Sequence, residues 1–150
     1  MPDTKSKIIN ALNLIIDGKL EALKATIADV SDSMKNDTKS SAGDKFETGR
    51  EMMQIELNNK HVQLNQQLQL KKDLSRIDVN ASYSSVEFGS LVLTNKGNYF
   101  ISVALGKVSV DDKDYFALSL ASPIGQALKG TKAGDEISFN KQNIVIEAVF

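Results

Sequence analysis

The stretch NDTKSSAGDKFE, residues 36–47, decides how this chain folds. From Asn36 to Gly43 it is dominated by Asn, Asp, Ser and Gly. Short polar side chains of this kind compete with helical hydrogen bonding, and glycine accepts a positive φ, so the segment is loop chemistry. On either side lie helical patterns of nearly equal length. Before it, Ile9, Ile16, Leu20, Leu23, Ile27, Val30 and Met34 recur at alternating steps of three and four, with Asn13 in the missing place. That spacing is the seam of a coiled coil. After it, Met53, Leu57, Leu64, Leu68, Leu74 and Ile77 mark a second seam, with His61 between Leu57 and Leu64. Two equal helices joined by a short loop fold back antiparallel. Residues 1–78 therefore read as a coiled-coil hairpin with its tip at 36–47, each arm about 45 Å long at 1.5 Å per residue.

The totals narrow the function classes. The chain has 150 residues, 41% of them hydrophobic and 25% charged, which is enough to bury a core. With 18 basic and 19 acidic side chains it lacks the positive footprint of a protein that holds duplex DNA by its phosphates. Charge is divided evenly between residues 1–78 and the remainder, so neither half is a basic module. The absence of cysteine excludes a disulfide scaffold and thiolate chemistry. The N-terminal apolar run is interrupted by Asn10, Asn13 and Asp17 and is followed by no cleavage signal. No run approaches the roughly 20 apolar residues that span a bilayer. The expectation is a cytoplasmic protein with no membrane partner.

After Asp78 the period changes to two. VEFGSLVLT, NYFISVAL, KVSV, YFALSL, EISF and IVIEAVF read as strands, separated by turns at NKGN, DDKD and NKQN. In SPIGQALKG, Ser122 is placed to cap a short helix, Pro123 suits its first position and Gly130 its left-handed stop. The fold class is α+β. Residues 79–150 are expected to form a small antiparallel domain, with the helix ahead of the last two strands, that buries one face against the helix.

FGSLVLT at 88–94, SPIGQALKGTKAGDEISF at 122–139 and GDKFE at 43–47 together resemble the GreA/GreB family of bacterial transcript cleavage factors over nearly the whole chain. The stretch at 122–139, with its Ser-Pro, spaced glycines and acid, is the most specific part. The resemblance implies an FKBP-like C-terminal domain that docks on RNA polymerase through Ser122 and Pro123, and a hairpin that enters the polymerase secondary channel. It also implies that Asp44 and Glu47 act together as catalytic acids, sharing a magnesium ion with the polymerase active centre rather than holding one alone. Nucleic acid would be met only inside that complex. The protein would be a monomer and not itself an enzyme, stimulating the polymerase's own RNA cleavage. After Glu47 the sequence runs Thr48, Gly49, Arg50, Glu51, where the family usually has Asn-Ala-Glu-Tyr. A second reading is therefore a channel regulator without cleavage activity. A third, from another class, is a coiled-coil interaction or chaperone-like protein unrelated to polymerase.

Simpler roles exist for the same residues. Asp44 and Glu47 have the spacing of a capping box, which would contribute about 1 kcal/mol and no chemistry. His61 has no neighbours to share a metal and reads as a polar seam position that fixes register. Ser122 has no histidine to activate it and reads first as a helix cap.

Overall fold

The computed structural model describes residues 1–37 and 43–150, with side chains described outside 37–47. Two long helices, α1 (Pro2–Asp37) and α2 (Gly43–Ser75), precede six strands, β1 (Leu91–Thr94), β2 (Asn98–Ile101), β3 (Gly106–Val110), β4 (Lys113–Leu118), β5 (Glu136–Phe139) and β6 (Gln142–Val149). A short helix, α3 (Pro123–Leu128), lies between β4 and β5. The chain divides into two compact units, one of residues 1–14 with 72–150 and one of residues 15–71. Both long helices run through both units.

In the first unit the sheet order is β3-β4-β2-β1-β6-β5. Four strands precede α3, one from each of the four apolar runs, and KVSV and YFALSL form a complete hairpin, closed by Asp111 and Asp112 at φ of 51° and 63°. That hairpin also breaks the expected antiparallel pattern. The chain passes from β2 to the sheet edge, makes β3 there, and returns as β4 beside β2, so β2 and β4 pair in parallel with Tyr99 opposite Phe116. All other pairings are antiparallel.

The expected strand at 86–94 is shorter than its apolar pattern. Ser90 Oγ accepts from the Glu87 N–H at 3.1 Å and donates to the Glu87 carbonyl at 2.6 Å, which folds 87–90 into a turn, with Gly89 at a φ of 91°. Val86 instead bonds Thr131 and Gly130 through its backbone. The run NYFISVAL likewise leaves the ladder after Ile101.

The sheet buries both faces, where one was expected. Strand pairing puts Val92, Ile101, Leu118 and Ile146 on one side, and they form a cluster with Val86, Leu128 of α3 and Ile144. The opposite side carries Leu91, Phe100, Val108, Val110, Tyr115 and Ala117, all buried. Ile8, Leu12 and Leu74 of the helix ends and Val103 are buried in the same unit. Double-sided burial explains near-continuous apolar runs such as LVL, which a half-exposed strand would not show. The start of α1 is tied to the same unit by Lys7 Nζ to Asp111 at 2.8 Å. Lys5, almost wholly buried, donates to the Ala81 carbonyl at 3.3 Å and lies 4.7 Å from the centre of the Tyr83 ring. Burial lowers the Lys5 pKa below the usual lysine value, with the Asp78 charge opposing.

In the second unit α1 and α2 run antiparallel. Asp17 meets Lys71 at 2.6 Å, while Met34 and Ser31 line a groove with Leu57 and Arg50. The seam differs in phase from the sequence expectation. Along α1 the buried positions are Lys5, Ile8, Leu12, Ile16 and Leu20, followed by half-buried Leu23, Ile27, Val30 and Met34. Ile8 and Leu12 therefore take the places assigned to Ile9 and Asn13. The steps are four, four and four from Ile8 to Leu20 before the alternation of three and four begins. An extra step of four is a stutter, which locally unwinds a coiled coil. On α2 the half-buried line is Met53, Leu57, Lys60, Leu64, Gln67 and Leu70, so His61 is exposed and off the seam, and Leu68 faces outward.

Candidate functional site

The residues around α3 show why the sequence is specific there. Ser122 occupies the N-cap with extended backbone, accepts from the Gly125 N–H at 3.0 Å and donates to the Ser119 carbonyl at 2.7 Å. Pro123 takes the first helical turn, where a missing N–H costs nothing. Gly125 is required by space: a Cβ there would lie 2.1 Å from the Ser119 carbonyl oxygen and 2.9 Å from Leu120 Cα. Gly130 and Gly134 have φ of 78° and 93°, and Asp135 Oδ2 accepts from the Lys132 N–H at 2.8 Å to close the turn before β5.

Most of the motif is thus committed to backbone. Around α3 it presents Pro123, Gln126 and Lys129 outward, all exposed, with Ser122 half-exposed beside them. Gln126 is braced against the Leu120 carbonyl at 2.7 Å. Ser122 combines its cap with a surface position, so a partner could meet Pro123 and the Ser122 edge without disturbing the helix. No catalytic base is in bonding contact with Ser122 Oγ, whose contacts are the two backbone groups named above.

Asp44 and Glu47 are the second and fifth residues of α2, which begins at Gly43. A capping box needs its first residue at the flanking N-cap position, and this helix start gives Asp44 a place inside the helix instead. The side chains of both acids lie outside the described residues. So do residues 38–42, which belong to the expected tip at 36–47. Among the described residues there is no group of three or more His, Cys, Asp or Glu able to hold a metal ion. Nor does any described helix have the length and apolar character to cross a membrane.

Past the acids, Arg50 does not project alone. It lines a groove with Ser31, Met34 and Lys35 of α1 and Leu57 of α2. Sequence reading also passed over Met52, Ile55 and Val62, which are 67%, 60% and 55% exposed on one side of α2. Their steps of three and seven were a visible signal, out of phase with the seam at Met53 and Leu57.

No protein-family model matches this chain, and no curated protein does. Similar solved structures include the transcription factor Gfh1, at 20% identity, 93% coverage of each chain and a TM-score of 0.37. Gfh1 of Thermus aquaticus has 19% identity, 93% coverage of this chain, 94% of its own and a TM-score of 0.37. GreA factor homolog 1 of Thermus thermophilus has 20% identity, 87% and 94% coverage and a TM-score of 0.34. Values this low carry no assignment of function.

Proposed function

We propose that this protein is a cytoplasmic accessory factor of RNA polymerase, whose helical pair enters the secondary channel and whose acids promote cleavage of backtracked transcripts. The observation that carries the reading is the position of the GDKFE segment at the start of α2, a long helix that runs antiparallel to α1. The GreA/GreB resemblance requires its acidic pair there. The docking surface would be the exposed Pro123 with the half-exposed Ser122.

The donor set fits a shared cation and not a resident one. Asp44 and Glu47 offer carboxylate oxygens suited to a hard ion, but two side chains leave an octahedral magnesium site incomplete. When bound, the ion would supply activation of the attacking water at the RNA phosphodiester. The chain's own part is to bring two negative charges to that place and to hold them on a helix start, with polymerase providing the remaining ligands.

The test replaces Asp44 with Asn and Glu47 with Gln together, which removes both charges and keeps side-chain size. Polymerase binding should survive, and magnesium-dependent shortening of RNA in a backtracked complex should be lost. Persistence of cleavage at the parent rate would show that the acids are only helix-starting residues.

The channel-regulator reading is favoured by one specific feature, the Thr48-Gly49-Arg50-Glu51 continuation, in which Arg50 lines a groove with Met34 and Leu57. It predicts that the parent protein binds polymerase and blocks the channel without shortening RNA.

A further inference from the structure

Gly49 sits where neither backbone conformation nor space asks for a glycine. It lies in the interior of α2 and its φ is not positive. Among the described residues no atom lies within 4 Å of the place a Cβ would take. A helical glycine that serves neither a left-handed turn nor a close approach only weakens the helix, because it has the most backbone freedom to lose on folding.

Its place in the seam makes that weakness local. Gly49 is half-buried and in line with half-buried Met53 and Leu57, so it holds a seam position without a side chain to fill it. Both steps along this line are of four residues, the spacing that locally unwinds a coiled coil. Open space lies to either side. A groove of about 550 Å³ passes Gly49, Met53 and Lys60, and the described residues that line it all belong to α2. Another, of about 270 Å³, opens between Met34 of α1 and Arg50 and Leu57 of α2. Gly18 on α1 gives the contrast. It too has open space and no positive φ, yet it lies between Ile16 and Leu20, both buried, and beside Asp17, which meets Lys71 at 2.6 Å. Packing holds α1 at Gly18, whereas at Gly49 neither packing nor helix propensity holds α2.

From these observations we infer that Gly49 is a built-in opening point of the helical pair: α2 parts from α1 and loses its helical bonds between Gly49 and Met53, while the pair from Lys60 onward stays closed. Local openings of this kind belong to stretches with few buried apolar contacts and solvent-exposed backbone bonds. Residues 48–53 are thereby released from the seam that fixes the rest of α2, and their geometry is set by the contacts a partner offers. The inference is independent of the polymerase reading, and its assay needs no polymerase.

The experiment follows hydrogen exchange of the backbone amides in the intact protein, each rate corrected for its intrinsic value. In the parent, the amides of residues 50–53 should exchange roughly tenfold or more faster than those of 61–69, with the step falling between Met53 and Lys60. Gly49→Ala should slow exchange at 50–53 about fivefold, the factor by which alanine is favoured over glycine in a helix interior, and leave 61–69 unchanged. Gly18→Ala, the same replacement at a packed site, should leave 50–53 unchanged. Protection at 50–53 equal to that at 61–69 would overturn the opening point. So would a smooth gradient from 50 to 69 that Gly49→Ala does not alter, which is ordinary fraying of a helix end. Equal slowing of all these amides by either variant would show that the pair opens as one body, and would overturn it as well.

Discussion

The sheet unit and the helical pair are built on opposite balances of burial. In the sheet unit Leu91, Val92, Phe100, Ile101, Leu128 and Ile146 are fully buried, and both faces of the sheet are covered. In the helical pair, only Ile16 and Leu20 on α1 reach that state, and the described seam residues beyond them are half-buried. Apolar area removed from water is the main stabilising term, at about 25 cal/mol per Å². The sheet unit therefore holds its shape by its core. The helices of the pair depend more on their own hydrogen bonding and on a thin seam, so their surface positions are freer to carry polar and apolar side chains that packing does not explain.

The sharpest way to break this contrast is at Gly125. A methyl group there meets the Ser119 carbonyl at 2.1 Å with no flexible side chain to yield, so Gly125→Ala should cost about 3 kcal/mol or more. Tyr83, Tyr99 and Tyr115 all lie in the sheet unit, so tyrosine fluorescence during urea unfolding should report that loss directly. A variant as stable as the parent would mean that the α3 turn is not a tight packing point.

Matched truncations then measure the contrast itself. Leu91→Ala, in the sheet, should cost about 2–5 kcal/mol, whereas Leu57→Ala, at a half-buried seam position, should cost about 1 kcal/mol. Equal values in urea melts would remove the distinction between the two regions.

The smallest effect is expected at the ion pair of Asp17 with Lys71, in which both side chains are 47% exposed. Asp17→Asn should cost about 0.2–1 kcal/mol in low salt and nearly nothing in high salt. A larger, salt-insensitive loss would show that the pair holds the helices as firmly as core packing holds the sheet.

The same contrast governs what could be read from the sequence. Strand positions were legible where both flanks carried turn residues, as at DDKD and NKQN, and the cap, proline and glycine stop of α3 fell where their chemistry requires. The 86–90 segment misled because its apolar residues are buried through a turn and a bridge to 130–132, and periodicity does not register either. The parallel β2–β4 pairing depends on where a hairpin inserts in the sheet, and no local pattern encodes that. On α2, Leu57 to Leu64 can be divided as three and four or as four and three. The second division chose His61, while the structure seats Lys60, whose aliphatic stem covers apolar surface as its charge reaches water. On α1 the expected heptad began one residue out of phase because the stutter lies between Ile8 and Leu20. Ser122 and Pro123 were legible as local structure, since capping is a nearest-neighbour rule. The role of Asp44 and Glu47 was not, because two carboxylates one helical turn apart serve a cap and a shared cation equally well by spacing alone.

The turn chemistry of residues 122–139 bears on how that stretch should be used as an address. Its most recognisable letters, the serine, the proline, the three glycines and the aspartate, are those whose work is done inside the chain: a cap, a fixed φ, a close approach, two left-handed turns and a backbone bond. A search keyed to that spelling retrieves a route of the backbone before it retrieves a partner. The letters that would distinguish one destination from another are the ones the spelling leaves open, Gln126 and Lys129, together with the outward edge of Pro123. Exchanging those positions between two chains with the same spelling should redirect binding while leaving the fold intact.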